Sequence, residues 1–181
     1  MKVTRTAIAD VLILEPKVFG DARGFFLESY NERAFEEATG LDVKFVQDNH
    51  SRSGKGVLRG LHYQLKQPQG KLVRVTRGAV WDVVADIRRG SPTFGQWAGV
   101  ELSEDNQLQM WVPPGLAHGF LVLSESADFL YKTTDYYAPE HERCVAWSDP
   151  QLAIHWPLQG APLVSRKDAA GALFAQAELP A

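Results

Sequence analysis

The sequence predicts an all-β protein, a sandwich or barrel with a few short peripheral helices. Short runs rich in β-branched and aromatic residues recur along the chain at near-regular spacing. Turns that contain glycine or proline separate these runs, and no long helical pattern lies between them. With 181 residues the chain is long enough to bury a core, and we expect a single domain over residues 1–181.

The predicted strands follow one another from the N-terminus. The first ends before Pro16, and the second follows a glycine-rich turn at 20–24. Arg77-Gly78-Ala79 is typical of a hairpin turn, because glycine tolerates the positive φ that such turns need. The predicted strands cover residues 11–14, 25–27, 44–46, 57–63, 72–76, 80–87, 97–102, 109–112, 120–123 and 129–133.

Two helices are predicted outside the strands. The first begins at Asn31, carries glutamates in its first turns and ends at Gly40. The second covers Asp168 to Ala177, because the spacing from Ser165 to Asp168 resembles a capping box.

Composition narrows the functional classes. A net charge of −3 argues against general nucleic-acid binding, although a local basic pocket remains compatible with it. Cys144 is the one cysteine, so the chain cannot form an internal disulfide. No segment resembles a signal peptide or approaches the roughly 20 apolar residues of a membrane span. We therefore expect a cytoplasmic protein that binds neither nucleic acid nor a membrane.

A histidine and a lysine lie on neighbouring predicted strands. His62 ends the segment 56–62, and Lys71 opens the next apolar run. Imidazole can move a proton at neutral pH, and an ammonium group can stabilise the negative charge that a carbon acid develops. No cysteine or carboxylate accompanies them, so the pattern predicts proton transfer without a metal. The simpler interpretations are a packed histidine and a lysine that reaches solvent.

Strict alternation along a strand would place Arg59 and His62 on opposite faces. Gly60 lies between them, and a glycine inside a strand often marks a bulge or a close approach. If both side chains serve one pocket, a bulge near Gly60 must bring them to the same face.

The segment 113–120 contains a tight proline- and glycine-bearing turn, and His118 follows it at the start of an apolar strand. This arrangement resembles the second motif of the cupin superfamily, which implies a jelly-roll barrel. The first cupin motif usually adds two histidines and a glutamate, whereas this chain has His62-Tyr63-Gln64 and no acidic residue over 63–77. The missing ligands disfavour a metal-dependent cupin oxygenase or isomerase, and we expect no metal and no cofactor.

Tyr131 shares strand parity with Phe129 and is a candidate proton donor, because a phenol is neutral at pH 7. A buried tyrosine is more often part of the core, with its hydroxyl satisfied. Tyr136 and Tyr137 are alternative donors that periodicity does not separate from Tyr131.

Asp168 is best explained by helix capping, although a carboxylate can also orient a histidine and stabilise its protonated form. Sequence separation does not reveal which carboxylate meets His62. Asp82 and Asp86 therefore stay open as alternative partners.

Several motifs occur in a fixed order from about residue 5 to Asp168, and their combination is far more specific than any one of them. They lie at residues 19–28, 47–51, 56–62, 70–73, 91–95, 114–120 and 129–132. Together they resemble the dTDP-4-dehydrorhamnose 3,5-epimerase family, cupin-fold enzymes of bacterial rhamnose biosynthesis. The resemblance implies an isomerase that inverts C3 and C5 of dTDP-4-dehydro-6-deoxy-D-glucose to give dTDP-4-dehydro-L-rhamnose.

The C4 ketone of this substrate acidifies the hydrogens at C3 and C5. A base removes one of them, an enolate forms, and an acid returns a proton to the opposite face. In the family pattern His62 is the base, Asp168 orients it, Tyr131 is the acid and Lys71 stabilises the enolate oxygen.

The resemblance also implies substrate contacts and a quaternary structure. The substrate contacts correspond to Arg23, Glu28, Gln47, Asp48, Asn49, Arg59, Lys71, His118, Glu142 and Lys167. The family is homodimeric, with an exchanged N-terminal strand that carries Arg23 and Glu28 to the partner's site. Two other functions stay open: an epimerase acting at C3 or C5 alone in another dTDP-deoxysugar pathway, and a non-catalytic sugar-nucleotide-binding barrel.

Overall fold

Two antiparallel β-sheets face each other and enclose the main hydrophobic core. The computed structural model describes residues 1–180. The strands are β1 (Lys2–Arg5), β2 (Leu12–Glu15), β3 (Val18–Asp21), β4 (Gly24–Leu27), β5 (Gln47–Gly54), β6 (Leu58–Gln64), β7 (Lys71–Arg77), β8 (Ala79–Asp86), β9 (Trp97–Ser103), β10 (Gln109–Val112), β11 (Leu116–Val122), β12 (Ser126–Thr133) and β13 (Glu142–Cys144). The predicted all-β fold with short peripheral helices is confirmed.

The sheets differ in strand order. The six-stranded sheet has the order β1-β2-β10-β7-β12-β5, and the five-stranded sheet has the order β13-β6-β11-β8-β9. Strands β3 and β4 pair only with each other, as a separate hairpin. The turn predicted at Gly78 is present, with φ at +74°, but the predicted hairpin was wrong. Strands β7 and β8 belong to different sheets, so this turn carries the chain from one sheet to the other.

Apolar side chains fill three layers. The central layer lies between the sheets, where Phe120 and Phe129 stack with ring centroids 4.2 Å apart. Outside the five-stranded sheet, the C-terminal segment covers the strands with Trp156 and Phe174. Outside the six-stranded sheet, Phe35 packs against Trp111 and its neighbours. Each such buried side chain contributes about 1.5–3 kcal/mol of hydrophobic stabilisation.

Helix α1 (Glu32–Thr39) confirms the first predicted helix at both ends. The Asn31 side chain accepts a hydrogen bond from the Ala34 backbone amide at 3.2 Å, which is a typical N-cap contact. Gly40 ends the helix in the left-handed region, at φ +73°. Among residues 1–180, no helix has the length and apolar character needed to span a bilayer.

The second predicted helix was wrong in length. Helix α2 covers only Arg166–Ala169, and a separate 3-10 turn spans Phe174–Gln176. The intervening chain pairs with the end of β13, because the Ala172 amide donates to the Cys144 carbonyl at 2.9 Å. At Gly171 an added Cβ would lie 2.9 Å from the Ala146 backbone. This close approach removes the space that a continuing helix needs.

The predicted strand at 44–46 was also wrong. That segment is irregular, and β5 begins at Gln47 and continues to Gly54. Phe45 instead packs edge-to-face on Trp111 and Tyr30, in the layer beneath α1. The apolar character of Phe45 is therefore explained by packing against the side chains beneath α1, and not by strand pairing. Strands β1, β3, β5 and β13 were not predicted.

The predicted bulge lies at Gly60. Between Arg59 and His62, three steps along β6 match two steps along β11. Gly60 has φ +119°, and a Cβ there would lie 2.6 Å from the Cα of Gly119. Both conditions favour glycine. The extra residue brings Arg59 and His62 to the same inner face of the sheet.

Candidate active site

Polar side chains replace apolar ones at one end of the space between the sheets. They line a cavity of about 280 Å³, and both sheets contribute to it. Its polar lining includes Asn49, Arg59, His62, Lys71, His118 and Tyr131. A smaller groove shares His62, Lys71 and Tyr131 with the cavity and extends it towards Glu142. Six strands, β5, β6, β7, β11, β12 and β13, thus contribute residues to one site.

His62 and Asp168 form a hydrogen-bonded pair at the cavity. His62 Nε2 donates to Asp168 Oδ1 at 2.5 Å, and 28% of the His62 side chain is exposed whereas Asp168 is buried. Because Nε2 carries the shared proton, Nδ1 is the ring nitrogen that is free to accept another one. The structure therefore pairs His62 with Asp168 and not with Asp82 or Asp86.

Asp168 is held from three directions. The Ser165 hydroxyl donates to Oδ2 at 2.7 Å, and the Gly60 amide donates to Oδ1 at 3.3 Å. Burial acts to raise the pKa of Asp168, but the hydrogen bonds from His62 and Ser165 outweigh it and hold that pKa below its usual value. The backbone amide of Asp168 also donates to the Ser165 hydroxyl, which is the N-cap contact of α2. Asp168 therefore belongs to the capped end of α2 and also orients His62.

Lys71 is the first residue of β7 and faces the cavity. Burial lowers its pKa to about 8, against the attraction of the carboxylates of Asp82 and Glu142. An ammonium group with little solvent around it interacts strongly with a nearby anion. Lys71 can therefore stabilise negative charge that develops on a bound molecule.

His118 belongs to a second histidine–aspartate pair, which is sealed from solvent. Its Nε2 donates to the two carboxylate oxygens of Asp82 at 2.9 and 3.1 Å, and Asp82 is fully buried. Burial lowers the pKa of His118 and raises that of Asp82, while their mutual attraction opposes both changes. His118 is the cross-strand partner of His62, so the two pairs are adjacent.

Of the three candidate tyrosines, Tyr131 alone lines both the cavity and the groove. Burial and the charge of Glu142 raise its pKa, so its phenol stays protonated at neutral pH. Tyr137 is half-exposed at the groove, and its hydroxyl donates to Glu142 Oε2 at 2.6 Å. Tyr136 is 60% exposed and lines neither space.

Other predicted binding residues line the cavity or contact side chains that line it or the groove. The Arg59 guanidinium donates to Ser53 Oγ at 3.0 Å and leaves its other N–H groups available. Gln47 donates to the Asn49 side chain at 3.0 Å. Lys167 pairs with Glu142, so α2 and β13 join at the rim.

Three predicted residues do not reach this cavity within one chain. Arg23 is paired with Asp21 on the separate hairpin, and Glu28 accepts a hydrogen bond from Asn31. Asp48 lies on the outer face of its sheet and binds Lys132 at 2.9 Å.

Two features of the site were not predicted from the sequence. They are the pairing of Asp82 with His118 and the position of Cys144 beside the His62–Asp168 pair. Asp82 had a detectable signal, because it interrupts a run of valines at an inward position of β8. Cys144 is paired in register with His62, yet β13 has only three residues and gives no periodic pattern.

The arrangement combines a base held by a carboxylate, a cation and a protonated phenol around one cavity. The family described as dTDP-4-dehydrorhamnose 3,5-epimerase matches residues 5–176 of this chain. The chain belongs to that family. The predicted resemblance is thereby confirmed.

Relatives in this family cover almost the whole chain. The dTDP-4-dehydrorhamnose 3,5-epimerase of Pseudomonas aeruginosa is 68% identical over 178 residues, which is 98% of each chain. The dTDP-6-deoxy-D-glucose-3,5-epimerase from Legionella pneumophila, solved in complex with dTDP-4-keto-L-rhamnose, has a TM-score of 0.97 and 56% identity. It covers 99% of this chain and 97% of its own.

The fold also extends to a relative that its description calls a 3′-monoepimerase. This protein, from Streptomyces bikiniensis, was solved in complex with dTDP-quinovose. It has a TM-score of 0.92 and 36% identity, and it covers 99% of this chain and 92% of its own. Relatives described as acting at two positions and at one thus share this architecture.

Proposed function

We propose that the protein is a dTDP-4-dehydrorhamnose 3,5-epimerase that acts without a metal or other cofactor. It converts dTDP-4-dehydro-6-deoxy-D-glucose into dTDP-4-dehydro-L-rhamnose. The observation that carries the proposal is the His62–Asp168 pair, which opens into a cavity that Lys71 and Tyr131 also line. Family membership supplies the substrate class, and the geometry supports the roles.

His62 Nδ1 removes the hydrogen at C3 or C5, and the electron pair moves onto the C4 oxygen as an enolate. Asp168 stabilises the imidazolium that results, because its carboxylate already accepts the Nε2 proton. The Lys71 ammonium stabilises the enolate oxygen. A positioned base contributes about 10²–10⁴-fold to the rate, and an oxyanion-type donor about 10²–10³-fold.

Inversion requires that the returning proton reach the opposite face of the sugar ring. His62 belongs to β6 in the five-stranded sheet, whereas Tyr131 belongs to β12 in the six-stranded sheet. The sheets form opposing walls of the cavity, so the base and the acid approach a bound ring from opposite sides. Tyr131 donates its phenolic proton, and solvent exchange then restores both groups.

The dTDP part of the substrate needs contacts with cations and polar groups. Arg59 lies beside the base, and its planar guanidinium suits bidentate binding of a phosphate. Gln47, Asn49, His118, Glu142 and Lys167 complete the substrate contacts that we propose from within one chain.

A second candidate function is epimerisation at one carbon only. The similarity to the 3′-monoepimerase favours this candidate, because such a relative has the same fold. The higher identity to relatives described as 3,5-epimerases favours the double reaction.

Incubation with the thymidine-linked 4-keto-6-deoxyglucose in deuterated water tests these alternatives. Deuterium at both C3 and C5, located by NMR, supports the double reaction. Deuterium at one carbon supports the second candidate. Binding without any label indicates a sugar-nucleotide-binding barrel and contradicts the proposal.

We also propose a homodimer with an exchanged N-terminal strand, acting in the cytoplasm. The β3–β4 hairpin supports this quaternary structure, because Phe19, Phe25 and Phe26 are 52%, 64% and 69% exposed. An apolar surface of this kind typically marks a protein interface. Arg23 and Glu28 lie on or beside this hairpin, outside the cavity of their own chain.

Mixed dimers test the exchange. Arg23→Ala and His62→Ala chains, with different affinity tags, are purified together as heterodimers. If Arg23 serves the partner's site, one of the two sites regains every residue, and about half of the wild-type activity returns. If the hairpin serves its own chain, both sites stay defective and the heterodimer is inactive.

A further inference from the structure

We infer that the protein has an inhibitory binding site for a borderline-soft divalent cation such as Zn²⁺, formed by His62, Cys144 and Asp168. One ligating atom from each of these residues lies within 4.8 Å of the other two. The inhibitory consequence rests on the proposed role of His62 as the base, whereas the cation site itself does not.

The three ligands come from three elements that fix one another. Cys144 on β13 is paired in register with His62 on β6, so their side chains leave the sheet on the same face. Asp168 is held by the hydroxyl of Ser165 and the amide of Gly60. A site built on paired strands needs little ordering when the cation binds.

Distances agree with a tetrahedral cation after small side-chain movements. Zinc bonds of about 2.0–2.3 Å place neighbouring ligand atoms roughly 3.3–3.6 Å apart. His62 Nε2 and Asp168 Oδ1 are now 2.5 Å apart, and Cys144 Sγ lies 4.0 Å from the same oxygen. The first separation must lengthen by about 1 Å and the second must shorten by about 0.5 Å. The separation between Cys144 Sγ and His62 Nε2, which is at most 4.8 Å, must shorten into the same range.

The donor set selects the type of cation. Imidazole, thiolate and carboxylate together suit Zn²⁺ or Co²⁺, whereas Mg²⁺ and Ca²⁺ prefer oxygen ligands alone. His62 and Cys144 are both partly exposed, which gives the cation access from solvent. Water supplies the fourth ligand, as in zinc sites with three protein ligands.

Binding would remove the base without changing the fold. The cation replaces the proton between His62 and Asp168, and the neutral imidazole then carries its proton on Nδ1. No lone pair is left there to accept a hydrogen from the sugar. The Cys144 thiol loses its proton to solvent as the sulfur–metal bond forms, so one proton is released for each cation bound.

Cobalt spectroscopy tests the site independently of activity. The purified protein is treated with EDTA, desalted and titrated with CoCl₂. We expect a near-ultraviolet band from thiolate-to-cobalt charge transfer, and we expect it to be lost in Cys144→Ser. Absence of the band from the wild-type protein, or its persistence in Cys144→Ser, would overturn the site.

Inhibition by ZnCl₂ tests the consequence. Loss of an outer partner of a metal ligand typically weakens binding 10–100-fold, so loss of Cys144 should raise the zinc inhibition constant by at least about tenfold. Cys144→Ala should keep its basal activity, and EDTA should restore the zinc-treated wild-type enzyme. His155→Ala is the matched control, because His155 is exposed on another surface.

Equal zinc sensitivity in Cys144→Ala and wild type would refute the inhibitory role. A preparation with the cobalt band and no epimerase activity would contradict the proposed function alone.

Discussion

The two histidine–aspartate pairs are chemically alike and lie on adjacent strands, yet their surroundings differ. The His62–Asp168 pair opens to the cavity, with 28% of the histidine side chain exposed. The His118–Asp82 pair is sealed, with 8% of the histidine and none of the aspartate side chain exposed. A base must meet both its substrate and a source of protons, and only the open pair meets that condition.

The difference in burial therefore suits the two pairs to different roles. In the sealed pair, desolvation lowers the pKa of His118 and raises that of Asp82, which opposes full charge separation. In the open pair, hydrogen bonds keep the pKa of Asp168 low, so its charge is available to stabilise an imidazolium. The sealed pair is suited to fixing a polar wall, and the open pair to moving protons.

Loss of His62 should have the largest effect. We expect His62→Ala to lower deuterium exchange at C3 and C5 by on the order of 10⁴-fold, because no other group takes the place of the proposed base. His118→Gln is the matched variant, since an amide can still donate to Asp82. His118→Gln should retain exchange at both carbons that NMR can measure. An equally severe loss in His118→Gln would contradict the functional difference between the two pairs.

Replacement of each aspartate by asparagine should have the next largest effect, and it should distinguish the two pairs. In Asp168→Asn the amide donates to Nε2 and moves the ring proton to Nδ1, so kcat should fall roughly 10³-fold. Asp82→Asn should keep most of its activity but lose about 1–3 kcal/mol of stability in thermal unfolding, because a buried group loses its charged partner. Similar kinetic losses in the two variants would contradict the division of roles.

The pH dependence of kcat/KM should report Lys71. Its ammonium form is present below a pKa of about 8 and is lost as the pH rises through that value. The rate should therefore decline above about pH 8. Lys71→Gln should lower kcat by about 10²–10³-fold and remove this alkaline limb.

The position of this alkaline limb should also depend on Asp82, which belongs to the sealed pair. The Asp82 carboxylate raises the pKa of Lys71, so Asp82→Asn should move the alkaline limb to lower pH. A limb at the same pH in both proteins would mean that another group titrates.

Tyr131→Phe should have the smallest effect on exchange and a selective effect on inversion. Product formation should fall by on the order of 10²-fold, because the proposed acid on the opposite wall is lost. His62 can still remove and return a proton on its own face, so label should enter unreacted substrate. Tyr137→Phe is the control, and it should leave the ratio of exchange to inversion unchanged. Equal loss of exchange and inversion in Tyr131→Phe would argue against its role as the donor.

Much of the fold could be predicted because the strands alternate clearly or carry apolar runs. The predicted strand at 80–87 became β8 (Ala79–Asp86), and Gly78 marked its turn. The short strand β13 could not be predicted, because three residues carry no period. The second helix was overestimated, since the strand-like pairing of Ala172 is a tertiary contact that a capping signal does not contain.

Individual residues of the candidate site could be predicted from the sequence, but the partner of His62 could not. Inward parity indicated Lys71 and Tyr131, and a bulge at Gly60 was predicted as the condition for uniting Arg59 and His62. The partner of His62 was left open among three aspartates, because pairing across more than 100 residues depends on the fold. Asp168 had a sufficient local explanation as a cap, which concealed its second contact.

The contact between Gly60 and Gly119 has a consequence for mutational scanning. A Cβ at Gly119 would lie 2.5 Å from the Arg59 carbonyl oxygen, so even alanine forces β6 and β11 apart. Such a substitution would move Arg59 relative to His62, and so separate the proposed phosphate contact from the proposed base. Both glycines should therefore score as intolerant in an activity screen, although neither has a side chain that could touch the sugar.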